Sequence, residues 1–267
     1  MKGAVGLIAG NGRLPTLLAS AIEETGRKVI AIGHRGATQE DLKGVVHTLH
    51  WVNVGELGRM IELLKGEGVK RVLFAGGIPK TLFFSGVRPD ERAIQVLSRL
   101  QDRKDDAILR AVAEELKGEG IRVMSPIFFL KRAMAPPGCW TERKPTEREE
   151  RDIAFGWRIA KKVGRLDIGQ CVVVKDQMVL AVEAVEGTDE TIRRGAKLGR
   201  GDVMVIKVLK PKQDPRLDLP VIGPLTIKTL EEAGASSLVV EAGKTIVMDR
   251  EEVIRLADRN QICLIGR

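Results

Sequence analysis

Two glycines framing an asparagine, Gly10-Asn11-Gly12, follow the apolar run GAVGLIA and stand just ahead of Pro15, which opens a helix-period segment. Glycine at a strand-to-helix turn lets backbone N–H groups approach a phosphate, and the helix N-terminus adds partial positive charge. A tight turn without any ligand would use the same two glycines. Ala75-Gly76-Gly77-Ile78-Pro79-Lys80 repeats the device after another short apolar run. Lys80 there is either a cation for a phosphate oxygen or an exposed lysine after a turn. Lys104-Asp105-Asp106 begins a helix, where capping and the helix dipole account for two acids and the spacing does not support a metal site. Glu186-Gly187-Thr188-Asp189 ends a strand and starts a helix, which offers N–H groups and a hydroxyl to an anion, or capping alone. The stretch QDPRLDLP (213–220) sets Asp214, Arg216 and Asp218 in a proline-framed loop that cannot be regular helix. Carboxylates are natural ligands for Mg²⁺ or Mn²⁺ and can also orient an attacking water, while a salt bridge from Arg216 to an acid is the alternative use. Gly223-Pro224 then opens a helix with Thr226 in its first turn.

These residues need a frame. GAVGLIA (3–9), KVIAI (28–32), HTLHWV (47–52) and VKRVLFAG (69–76) read as short, apolar, β-branched strands separated by helix-period segments, with two further helices over 90–100 and 105–116. Alternation of this kind predicts a doubly wound, Rossmann-like α/β domain with a mainly parallel sheet over residues 1–133, its strand ends converging on one edge. Three prolines and a glycine without apolar period mark 134–145 as a linker. Residues 146–267 follow as an α+β domain, with Thr146 and Glu149 at capping-box spacing, a charged helix face exposed to solvent, and a hairpin turning at Asp176 and Gln177.

Composition narrows the function. The 267 residues carry a net charge of +8, which favours phosphate-bearing or anionic-membrane partners. Aromatic residues are only 3% with no tyrosine, leaving few stacking platforms, so nucleic acid is not the expected partner. Cys139, Cys171 and Cys263 lie too far apart for a CxxC zinc site, and His34, His47 and His50 have no metal-ligand spacing. A dinucleotide fold would want a third glycine where Pro15 stands and an acid after the second strand, where Gly33, His34 and Arg35 occur instead. Without a run of apolar residues long enough for a membrane span, the chain is expected in the cytoplasm.

Taken in order, GLIAGNGRLP, FAGGIPK, KDDAILRAV, GRLDIGQ with VLAVEAVEGTDE, QDPRLDLPVIGPLT, and VVEAG followed by DREEVI resemble the UDP-2,3-diacylglucosamine pyrophosphatases of the LpxI type, along essentially the whole chain. Those enzymes act in lipid A synthesis in Gram-negative bacteria. The resemblance implies a divalent-metal-dependent hydrolase that converts UDP-2,3-diacylglucosamine to 2,3-diacylglucosamine 1-phosphate and UMP, acting as a homodimer with substrate between its domains. It singles out Asp218, ahead of Asp214, as the catalytic carboxylate, and Asp218 would then either ligate the metal or orient the water. It also marks Asn11, Gly12, Gly77, Asp105, Asp106, Gly187 and Thr188 as substrate contacts, beside which Lys80, Arg216 and Thr226 stand on their own chemistry. Two acyl chains call for apolar cover, with TLFFSGV (81–87) and IFFLKRA (127–133) as candidates and core packing as the other use of IFFL. The positive charge would assist peripheral contact with the inner membrane. The competing reading is a nucleotide-sugar sensor, since phosphate loops also bind without cleaving.

Overall fold

The computed structural model describes residues 3–79, 82, 88–100, 105–211 and 213–267. The chain divides into two compact units, Met1–Lys131 with Asp214–Asp218, and Arg132–Gln213 with Leu219–Arg267.

In the first unit, β1 (Val5–Ala9), β2 (Val29–His34), β3 (Thr48–Val52), β4 (Arg71–Ala75) and β5 (Arg122–Val123) form one sheet in the order β3-β2-β1-β4-β5. All four pairings are parallel, as the expected doubly wound class requires. The helices α1 (Leu14–Glu23), α2 (Leu57–Gly66), α3 (Glu91–Ser98) and α4 (Asp105–Gly118) connect and cover the strands. Both faces are dry, which explains why the strands read as unbroken apolar runs rather than alternating ones. Ile8, Ile30, Ile32, Val72 and Phe74 share a cluster with Leu57, Met60, Ile61 and Leu64 of α2 and Leu116 of α4. Leu7, Ala31 and Leu73, which point to the other face, are buried as well, and α1 packs against β1, β2 and β4. Each such leucine or isoleucine stabilises the fold by about 1.5–3 kcal/mol.

The strand order reverses between β1 and β4, so the loops that follow these two strands emerge side by side. Gly10 and Gly76 let them touch. A Cβ on Gly10 would lie 2.3 Å from the Gly77 carbonyl oxygen, and one on Gly76 would lie 2.2 Å from that of Asn11. Gly76 also has a φ of +77°, a left-handed value that costs an L side chain about 1–2 kcal/mol.

The second unit holds β6 (Gly138–Cys139), α5 (Glu147–Arg165), β7 (Cys171–Lys175), β8 (Met178–Val182), α6 (Thr188–Gly199) and β9 (Met204–Lys207). It continues through β10 (Val221–Ile222), α7 (Pro224–Glu232), β11 (Ser237–Val240), β12 (Ile246–Val247), α8 (Arg250–Arg259) and β13 (Cys263–Gly266). Its main sheet, in the order β6-β13-β11-β9-β7-β8, is mixed: β9, β11 and β13 run parallel, whereas β6, β7 and β8 pair antiparallel. β10 and β12 form a separate parallel pair. Alternate residues of β7 serve opposite faces. Val172 and Val174 pack with Ile153 and Ala160 of α5, and Cys171 and Val173 with Ile192 and Ala196 of α6.

Three local expectations meet the structure here. The Thr146 capping box forms, with Glu149 N–H donating to Thr146 Oγ1 at 3.3 Å and Thr146 N–H to Glu149 Oε2 at 2.8 Å. The helix charges lie mostly on a solvated face, with Glu149 and Asp152 as the buried exceptions. Glu149 is buried and receives Arg143 at 2.6 Å, and buried Asp152 accepts the Asp176 and Gln177 amides at 2.8 and 2.6 Å. Asp152 thereby fixes the β7–β8 turn, where both residues take positive φ. The segment 134–145, expected as a linker, instead contributes β6 to the second sheet and places Thr141 in its interior. Prolines and a glycine suit an edge strand and its turns as well as a linker.

Substituting Gly10→Ala or Gly76→Ala forces backbone apart and should lower stability by about 2–3 kcal/mol. Gly12→Ala, where a Cβ meets open space and only positive φ is strained, should cost about 1–2 kcal/mol. Urea or thermal melts of the three variants check the ranking, and a Gly10→Ala protein as stable as the parent would contradict the close approach.

Candidate active site

At the carboxyl edge of the first sheet, the β1 and β4 loops are joined by three hydrogen bonds. Gly10 N–H donates to Ala75 O and Asn11 N–H to Gly77 O, both at 2.8 Å, while Gly77 N–H donates to Asn11 Oδ1 at 3.0 Å. The amides of Gly10, Asn11 and Gly77 are thus spent on holding the two loops together. This revises the expected division of labour. Asn11 acts through its side chain as a clasp, and the first turn of α1, where Pro15 has no N–H, leaves the amides of Leu14 and Thr16 without an intrahelical carbonyl.

Next to this clasp lies a group that sequence reasoning used only to argue against a metal site and against dinucleotide binding. His34 ends β2, and its ring Nδ1 lies 2.9 Å from Ala9 O. A carbonyl oxygen only accepts, so the proton sits on Nδ1 and Nε2 carries a lone pair. Thr38 Oγ1, itself buried, donates to the same oxygen at 2.7 Å and accepts the His34 amide at 2.8 Å. Burial lowers the pKa of His34 below the ordinary 6.5, and the bond to Ala9 only partly opposes this, so the ring is neutral at pH 7. The available signal was its place at a strand end next to the glycine loop.

The acidic loop belongs to this same unit. Leu217 is buried in the apolar cluster that contains Ile8, Phe74 and Val123, and Ser125, just past β5, lies 3.4 Å from Pro215 O. Asp214 accepts four bonds from Arg216: the backbone N–H at 2.9 Å, Nε at 3.0 and 3.1 Å to its two oxygens, and Nη2 at 2.6 Å. Arg216 holds the Asp214 carboxyl below the usual range, and the guanidinium is in turn occupied. The salt-bridge alternative for these two residues is therefore realised in the structure. Asp218 is the exposed carboxylate of the loop, its amide donating to Asp214 O at 3.2 Å. Asp106 pairs with Arg110 at 2.9 Å within α4. Asp105 opens that helix, but its side chain lies outside what is described, as do Lys80 and, apart from Leu82, the segment 81–87.

The remaining candidates sit in the second unit. Gly187 precedes α6 with a φ of +86°, and the Thr188 hydroxyl donates to buried Glu183 at 2.9 Å. Thr226 Oγ1 accepts the Gly223 amide at 3.3 Å at the start of α7. Glu183 was missed in the sequence, as was Lys207, a buried lysine donating to Val221 O at 3.0 Å. Cysteine nucleophiles find no support, since burial pushes Cys263 up to about 11 and Cys171 higher still. Of the IFFL stretch only Leu130 is fully buried, and Phe128 is exposed. Among the described residues no group of three or more His, Cys, Asp or Glu is placed to hold a metal ion. No described helix is long and apolar enough to cross a membrane.

Comparison with known proteins bears directly on these loops. Residues 4–133 match the model of the LpxI N-terminal domain and residues 136–265 that of the LpxI C-terminal domain. The chain belongs to the LpxI family. A relative from Caulobacter vibrioides, UDP-2,3-diacylglucosamine pyrophosphatase LpxI, is 37% identical over 273 residues, covering 98% of this chain and 96% of its own. Similarity to solved structures is slight. The biotin carboxylase domain of a thermophilic 2-oxoglutarate carboxylase gives a TM-score of 0.28 at 15% identity, over 63% of this chain and 34% of that one. The biotin carboxylase subunit of pyruvate carboxylase gives 0.26 at 14%, over 67% and 35%. The chain thus spans about a third of the length of these two structures. In this LpxI family member the first unit therefore carries the clasped glycine loops, His34 and Asp218 together.

His34 makes the stability of the protein pH-dependent. Its folded pKa lies below its unfolded one, so between the two the unfolded chain binds more protons and stability falls as pH drops below about 6.5. In His34→Asn, whose amide can still donate to Ala9 O, this part of the acid limb should flatten. Melting temperatures at pH 7.5 and 5.5 for parent and variant test it, and identical slopes would contradict the buried neutral ring.

Proposed function

We propose that this protein hydrolyses the diphosphate bond of UDP-2,3-diacylglucosamine, giving 2,3-diacylglucosamine 1-phosphate and UMP for lipid A synthesis. The observation that carries this reading is the return of Asp214–Asp218 to the unit that bears the glycine loops. It brings an exposed carboxylate into the domain whose strand ends suit phosphates. Water adds across the P–O–P bond, its hydroxyl joining one phosphorus and its proton leaving with the other phosphate. Asp218 orients that water, the amides of the first turn of α1 hold phosphate oxygens, and Arg216 keeps Asp214 shaping the loop. Near-full-length similarity to a named pyrophosphatase supports the assignment.

The Mg²⁺ or Mn²⁺ of this reading does not need a protein cage. Mg²⁺ is commonly held by one or two carboxylates together with substrate phosphates, and Asp218 is the residue suited to that arrangement. When bound, the ion neutralises phosphate charge. Gly187, Thr188 and Thr226 of the second unit, a homodimeric state and contact with the inner membrane complete the proposal, the last assisted by the +8 charge.

Purified protein incubated with the lipid substrate, with and without Mg²⁺ or Mn²⁺, should release UMP. Asp218→Ala should lower kcat at least about a hundredfold with its melting temperature nearly unchanged. Binding without turnover under every metal condition would favour the sensor reading, and loss of turnover in step with unfolding would make Asp218 structural.

A further inference from the structure

His34 is not accounted for by the scheme above. Its ring is fixed from two sides: Nδ1–H is tied to Ala9 O at 2.9 Å, and Thr38 binds both that oxygen and the His34 amide. Such a lock sets ring orientation and tautomer together, as expected where the other nitrogen has a task. Among the described residues Nε2 has no hydrogen-bond partner, and the residue is only partly buried. The ring therefore presents a fixed, neutral acceptor at the carboxyl end of β2.

Position determines what it accepts. In the dinucleotide-binding branch of doubly wound sheets the phosphate sits on the loop after β1 and a carboxylate after β2 accepts a ribose hydroxyl; this chain lacks that acid and carries His34 at the corresponding strand end. A lone pair on Nε2 does the same work without charge. It offers no proton to a phosphate oxygen, so an anionic group is the wrong partner, whereas an O–H is the right one. We propose that His34 Nε2 accepts a ribose hydroxyl of the bound uridine nucleotide, making His34 a specificity residue for the ribonucleotide half of the substrate. The inference rests on the function proposed above, because it takes the nucleotide to lie over the first unit.

Calorimetric titration of the full chain with UMP and with its 2′-deoxy and 3′-deoxy forms tests it. One of the deoxy forms should bind about tenfold more weakly than UMP, the effect of one net hydrogen bond. His34→Asn, which keeps the donor toward Ala9 but lacks an atom at Nε2, should bind all three ligands alike. His34→Gln, whose carboxamide can reach the Nε2 position, should restore part of the gap. With the lipid substrate, His34→Asn should raise KM with kcat little changed. Equal binding of UMP and both deoxy forms by the parent, a gap that persists in His34→Asn, or no UMP binding at millimolar concentration would each overturn the assignment. So would a uniform loss of affinity for all three ligands in both variants, which would mark His34 as scaffold. Turnover by the parent is measured alongside. If turnover is present without ribose discrimination, only the role of His34 fails; if turnover is absent, the proposed hydrolysis fails.

Discussion

Backbone touching backbone at Gly10 and Gly76 is the constraint on which the site depends. With hypothetical Cβ atoms falling 2.2–2.3 Å from opposing carbonyl oxygens, no side chain fits at either position. The benefit is that Asn11, Gly77 and Ala75 can lock two loops that are 66 residues apart in sequence into one edge. Such a lock uses up donors that a looser loop would offer to a ligand. That edge gains a rigid floor whose loop amides are already bonded to each other.

The polar groups around that floor are each held by a neighbour. Arg216 occupies Asp214, and Thr38 and Ala9 orient His34. Preorganisation of this kind is what phosphoryl chemistry asks of a protein, because its catalysis is largely positioning and charge neutralisation. It also assigns separate work to two acids four residues apart, one bound up in a local ion pair and the other exposed.

How much of this could be read from the chain depended on the range of each interaction. The parallel sheet was legible because four short apolar runs alternate with helical ones, and the Thr146 cap because its partners are three residues apart. The glycine loops were legible as strand-end turns, but their mutual clasp was not, since nothing local to GNG or AGGIPK records that β1 and β4 are neighbours. Asp152 was hidden inside a charge run that reads as a solvated helix face, and its burial becomes visible only when the β7–β8 turn arrives above it. The acidic loop announced its chemistry through Asp214, Arg216 and Asp218. Its membership of the first unit involves Leu217, an apolar side chain between charged neighbours that carries no periodic signal, and the contact of Ser125 with Pro215 O.

That single leucine orders the making of the molecule. Val123 and Leu116 have left the ribosome long before Leu217, so the first apolar core stays one side chain short until most of the second half has been translated. A gene fragment that stops after residue 131 would encode the glycine loops without the segment that seals their core and bears the exposed carboxylate. The two halves of the polypeptide are, for that reason, not interchangeable cassettes: the earlier one acquires a core side chain and an exposed carboxylate from a five-residue loan made by the later one.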